Sequence, residues 1–135
     1  MNSNSAGQMD NVFRENIIVV DDNENLNQLV CRMLEREGFN TESAHTGAEA
    51  VEKIINSSDS LVLLDYKLRN TDAPEVIRSV REKGISASYI IMTGFSNHSI
   101  TDDMRALGVI DCIHKEGAFL DRLPDIVRKA LKKKP

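Results

Sequence analysis

The chain has 135 residues, enough for one domain built around a single hydrophobic core. Hydrophobic residues make up 41% and charged residues 28%, and a net charge of −4 leaves no polybasic footprint for nucleic acid. No apolar run reaches the roughly 18 residues that span a bilayer, and the polar start lacks the basic-then-apolar layout of a signal peptide.

Residues 1–15 read as a disordered leader, and 16–135 as one folded domain. "NIIVVDD" (16–22) is a continuous β-branched run ending in two aspartates, the pattern of a strand buried on both faces. Leu26, Leu29, Val30, Met33 and Leu34 then fall on one helical face, with Gly38 as the stop. "FNTESA" (39–44) is half polar and suits a strand near the sheet edge. "TGAEAVEKIINSS" (46–58) reads as a helix with Ala48, Val51, Ile54 and Ile55 inward.

"LVLLD" (61–65) is the third strand. Pro74 sits where helices begin, ahead of Val76, Ile77 and Val80, and Gly84 ends that helix. "SYIIMTG" (88–94) is the fourth strand, and 97–108 is a more polar helix striped by Ile100, Met104 and Leu107. "VIDCIHK" (109–115) is the fifth strand. "LPDIVRKALKKK" (123–134) is the last helix, with Pro124 near its first turn and Lys132, Lys133 and Lys134 as a solvated end suited to the helix dipole. This five-fold βα alternation packs as a mostly parallel sheet covered by helices on both faces, with right-handed crossovers.

Such sheets bind ligands outside the carboxyl ends of their strands. The residues there are Asp21 and Asp22 after the first strand, Asp65 after the third, Thr93 and Gly94 after the fourth, and Lys115 after the fifth. A strand-end aspartate taken alone is common as a turn residue. Three carboxylates brought together repel, and need a cation or protons. An all-oxygen, incomplete ligand set suits Mg²⁺, which keeps waters and accepts phosphate oxygens. A carboxylate beside it can attack phosphorus, and an ammonium with a hydroxyl supplies the donors a phosphoryl group wants.

The order Asp-Asp, Asp, Thr-Gly, Lys at the ends of strands one, three, four and five resembles the receiver domain of two-component response regulators. The resemblance runs from about residue 16 to the end of the chain. It implies a flavodoxin-like (βα)5 sandwich with strand order 2-1-3-4-5. It also implies Asp65 as phosphoacceptor, Asp21, Asp22 and Asp65 with the Lys67 carbonyl as Mg²⁺ ligands, and Thr93 and Lys115 as partners of the phosphoryl group. The implied partners are a sensor histidine kinase or phosphotransfer protein and a fused or separate output domain. This segment would then contact neither nucleic acid nor membrane and would be a cytoplasmic signalling phosphoacceptor rather than an enzyme with its own substrate. "HKEGAFLDRLPDIVRKAL" (114–131) further resembles receivers that lead into the modules of hybrid sensor histidine kinases.

Four residues depart from the family's usual pattern: Arg69 for proline, Ala73 for glycine, Cys112 for a tyrosine or phenylalanine that moves on activation, and Glu116 for proline. Cys112 and the altered loop motivate an alternative, a receiver-like interaction module that works without phosphorylation. A phosphohydrolase with an aspartyl nucleophile would need a second acid two residues on, where Lys67 stands. No glycine-rich phosphate loop is present to suit a nucleotide. Cys31 and Cys112 form no CxxC pair or zinc spacing and read as free thiols in a reducing cytosol. His45, His98 and His114 fall on different elements and share no ligand spacing.

Overall fold

A computed structural model describes residues 15–57, 60–94 and 101–133. The leader expected over 1–15 lies outside them except for Glu15, whose carbonyl accepts the Asn40 N–H at 3.0 Å and so already joins the sheet.

Five strands, β1 (Asn16–Val20), β2 (Asn40–Ala44), β3 (Leu61–Asp65), β4 (Ser88–Thr93) and β5 (Val109–His114), pair in parallel in the expected order β2-β1-β3-β4-β5. The connecting helices are α1 (Glu24–Arg36), α2 (Gly47–Ile55), α3 (Ala73–Glu82) and α4 (Asp102–Ala106), and α5 (Phe119–Lys133) follows the last strand. The period-2 pleat splits each central strand between two cores. Ile17, Val19, Leu61, Leu63, Ile90 and Met92 face α1 and α5, whereas Ile18, Val20, Val62, Leu64, Tyr89 and Ile91 face α2 and α3. All of these are at most 1% exposed, and each large aliphatic side chain so buried contributes about 1.5–3 kcal/mol of transfer free energy.

Each of the first four helices starts on a side-chain cap. Asn23, Thr46, Asp72 and Thr101 accept the N–H of Leu26, Glu49, Glu75 and Met104, bonds worth about 1 kcal/mol apiece. The caps therefore set where the chain turns from the sheet edge into each helix. The edge strand β2 is blunted by Lys53, whose ammonium covers the Ser43 carbonyl.

Three expectations are corrected. The inward face of α1 is Asn27, Val30, Cys31 and Leu34, while Leu29 is 48% exposed. The apolar stripe is therefore rotated from the one read off the leucines, and it includes an amide. The last helix begins at Phe119, so Pro124 lies inside it. Its first turn is closed by the Asp121 N–H on the Ala118 carbonyl at 3.0 Å, and burial of Phe119 and Leu123 on the sheet outweighs the N–H that Pro124 lacks. In the region expected as helix 97–108, residues 97–100 lie outside the described residues, and α4 is a five-residue helix with no buried residue. β5 also slips register against β4: Tyr89 lies opposite Val109 and Ile90 opposite Asp111, leaving Ile110 as a bulge.

Candidate functional site

β1 pairs with both β2 and β3, so the strand order reverses there, and the crevice at its carboxyl end is where such a sheet offers a site. Val20 pairs with Leu64, and continuing that register one residue brings Asp21 level with Asp65. Oxygens of Asp21, Asp22 and Asp65 lie within 4.8 Å of one another. Asp21 and Asp65 are 1% and 7% exposed, whereas Asp22 is half-buried at the rim. Burial of two carboxylates at adjacent strand ends is costly without a cation.

Lys115 supplies one. It follows β5 directly, where the Lys115 N–H holds the Thr93 carbonyl at 2.7 Å. The side chain crosses β4 to reach Asp21 Oδ2 at 2.7 Å and Asp65 Oδ1 at 3.0 Å. Burial works against the ammonium, but the Asp21 hydrogen bond and the two carboxylate charges outweigh it and raise the Lys115 pKa. The other Asp21 oxygen, Oδ1, accepts the Asn23 N–H at 2.9 Å, so both of its oxygens are engaged.

Asp65 is less well served. Burial and then the Asp21 charge push its pKa up to about 6, against the pull of Lys115. It is thus ionised for the most part at neutral pH, yet a stronger base than a solvated carboxylate. Thr93 ends the neighbouring strand β4 and is fully buried. The arrangement therefore joins a basic carboxylate, an ammonium and a further acidic pair at one rim.

Lys67 lies in the loop after β3, where its side chain is exposed. That loop closes as an antiparallel bridge between Lys67 and Asp72. The bonds that make it run from the Leu68 N–H to the Thr71 carbonyl at 3.0 Å and from the Ala73 N–H to the Tyr66 carbonyl at 2.8 Å. Neither uses the carbonyl of Lys67. The grouped donors at the crevice are three carboxylates, all oxygen, which fit a hard divalent cation that keeps several waters.

Cys112 lies opposite Ile91 in β5, half-buried against the α2–α3 core, and burial followed by the Asp111 charge pushes its thiol pKa up. One buried residue bonded to the backbone of Asp21 was not singled out in the sequence, Asn27, whose Nδ2 donates to the Asp21 carbonyl at 3.1 Å. Its signal was present: 27, 30, 31 and 34 share one helical face, and Asn27 is the only amide among them.

Residues 17–128 match the response regulator receiver domain family. The sporulation initiation phosphotransferase F of Bacillus subtilis is 27% identical over 121 residues, covering 89% of this chain and 96% of that protein. The transcriptional regulatory protein ResD of the same organism is 39% identical over 84 residues, which are 62% of this chain but only 34% of that relative. Among solved structures, the response regulator protein TrrA of Thermotoga maritima, in complex with Mg²⁺–BeF, superposes with a TM-score of 0.72 at 29% identity, covering 86% of this chain and 98% of that one. No described helix is long and apolar enough to cross a membrane. With the strand order, the acidic crevice and a family match over most of its length, the chain belongs to the response regulator receiver domains of two-component signalling.

Proposed function

We propose that Asp65 accepts a phosphoryl group from the phosphohistidine of a sensor histidine kinase or phosphotransfer protein. The observation that carries this reading is the meeting of Asp21, Asp22, Asp65 and Lys115 at one strand-end crevice. An ionised Asp65 oxygen forms the new O–P bond as the N–P bond of the donor breaks, and the departing imidazole nitrogen keeps that bond's electron pair and takes a proton from solvent. Asp21, Asp22 and Asp65, with the Lys67 carbonyl, would hold Mg²⁺, which when bound offsets charge on the phosphoryl oxygens. Lys115, paired with Asp65 Oδ1 at 3.0 Å, would pair with that group, and the Thr93 hydroxyl at the end of β4 would donate to it. Both are roles that favour the product over the free carboxylate.

The chain acts as a signalling module whose only chemistry is the gain and loss of its own phosphoryl group. Its output passes to a fused or separate domain through a shift between two surface states. Two free cysteines suit work in a reducing cytoplasm.

The test is incubation of the purified chain with Mg²⁺ and acetyl phosphate, followed by intact mass. A single phosphate adduct is expected, not formed when Mg²⁺ is chelated beforehand and absent from Asp65→Asn. No adduct with this donor or with a phosphorylated kinase domain would favour a phosphorylation-independent interaction module, to which Cys112 points.

A further inference from the structure

We infer that Asn27 is a positioning residue for the acidic crevice, acting through the backbone of Asp21. This inference rests on the Mg²⁺-dependent reading above and deepens it.

Asn27 sits in the first turns of α1 and is fully buried. Its Nδ2 donates to three carbonyls, those of Val19 at 3.2 Å, Asp21 at 3.1 Å and Ala44 at 3.1 Å. Two hydrogens thus serve the carboxyl ends of both β1 and β2. A buried amide is tolerated when its polar atoms are satisfied, and here Oδ1 also takes the Cys31 thiol at 3.5 Å. The Ala44 carbonyl that Asn27 holds also accepts the Asp21 N–H at 3.1 Å. Asp21 is therefore held at its N–H through Ala44 and at its carbonyl through Asn27.

The next link is the turn itself. The Asn27 backbone N–H closes on the Asn23 carbonyl at 2.9 Å, and the Asn23 N–H takes Asp21 Oδ1. With that oxygen fixed, Oδ2 is left aimed at Lys115. Any residue can make the backbone bond of α1. Only a side chain with an NH₂ of this reach can bind three carbonyl oxygens at once. A leucine would leave them unsatisfied, an aspartate would face them with negative charge, and a glutamine is a methylene too long for an enclosed site.

A residue that merely stabilises the fold would lower the melting temperature and leave metal affinity alone. The test separates the two. Mg²⁺ affinity is measured by calorimetry on wild type, Asn27→Ala, Asn27→Ser and Val30→Ala, the last removing buried volume from the same α1 face. In parallel, amide exchange at Asn23 is followed in metal-free protein. Asn27→Ala is expected to bind Mg²⁺ about 10-fold more weakly, the low end for outer partners of metal ligands, and to exchange the Asn23 amide faster. Asn27→Ser, which keeps one donor, should fall between, and it carries the test if the alanine variant does not fold. Val30→Ala should melt lower with its Mg²⁺ affinity unchanged.

Wild-type Mg²⁺ affinity in both Asn27 variants would overturn the inference, as would an equal loss in Val30→Ala. In either case, a phosphate adduct on wild-type Asp65 leaves the phosphoacceptor reading standing. A wild type that binds no Mg²⁺ overturns both.

Discussion

The loop after β3 and the strand β5 both carry residues that differ from the family's usual choices, and they absorb the difference in opposite ways. In the loop and at the first residue of α3, Arg69 and Ala73 replace the common proline and glycine. The turn still closes through the Leu68–Thr71 and Ala73–Tyr66 backbone bonds, and Asp72 still caps α3. Any residue carries an N–H and a carbonyl, so a turn made of backbone bonds survives such exchanges. In β5, Cys112 replaces a ring. Around it the strand is bulged at Ile110, and α4 has no fully buried residue, with Met104 only partly buried against the α2–α3 core. No hydrogen bond can supply missing volume. Loop closure is thus robust to sequence, whereas a switch that depends on side-chain bulk is not.

The largest expected effect tests what anchors the loop. Leu68 is 4% exposed and is its buried side chain. Leu68→Ala should cost about 2–4 kcal/mol in urea unfolding. A cost of only a few tenths would mean that backbone bonds alone hold the turn.

The acid at the head of that loop gives the next effect. In the metal-free protein, Asp65 has a pKa of about 6 against an ordinary 3.8, so the folded state holds its proton more tightly than the unfolded chain. Stability attributable to this group is therefore highest below about pH 4, falls as pH rises towards 6 and stays low above it. Asp65→Asn should melt higher than wild type at pH 7 without metal, and the gap should close by pH 4. A gap that persists at pH 4 would assign the effect to something other than ionisation.

Lys67 is exposed, so Lys67→Ala should leave stability within about 0.5 kcal/mol. If Asp65 is the phosphoacceptor, it should nevertheless change the decay rate of the phosphorylated state, because Lys67 stands only two residues past the acceptor. Equal decay in the two proteins would remove Lys67 from the kinetics. The remaining effect, chiefly one of reactivity, is expected in β5. With its pKa raised, the Cys112 thiol should alkylate more slowly than a cysteine in the unfolded chain, and Cys112→Ser should change stability by about 1 kcal/mol or less. Fast alkylation in the folded state would show an accessible, reactive thiol and end the contrast drawn above.

Much of the molecule was legible in the residues. The alternation of β-branched runs with amphipathic stretches bounded by glycine and proline predicted every strand, because those periodicities are local. The acids at the ends of 16–22 and 61–65, with Thr93 and Lys115, could be assigned to one rim because parallel strands with right-handed crossovers place all their carboxyl ends together. The face of α1 was legible only in part. Leucine spacing alone turned Leu29 inward, whereas packing against the sheet set Asn27 and Cys31 there instead. The start of α5 was likewise decided by burial of Phe119 against the sheet, not by the proline rule.

What the sequence determined by itself, then, is the inventory: five βα units, a buried phosphoacceptor candidate and the reactive groups around it. What only tertiary structure decided is how those groups share charge. Lys115 reaches Asp21 across 94 residues of chain, and Asn27 ties two strands that meet only in the sheet. Periodicity reports which way a residue faces within its own element. It carries no information on which distant carboxylate an ammonium will bridge, and that bridge sets the electrostatics of the crevice.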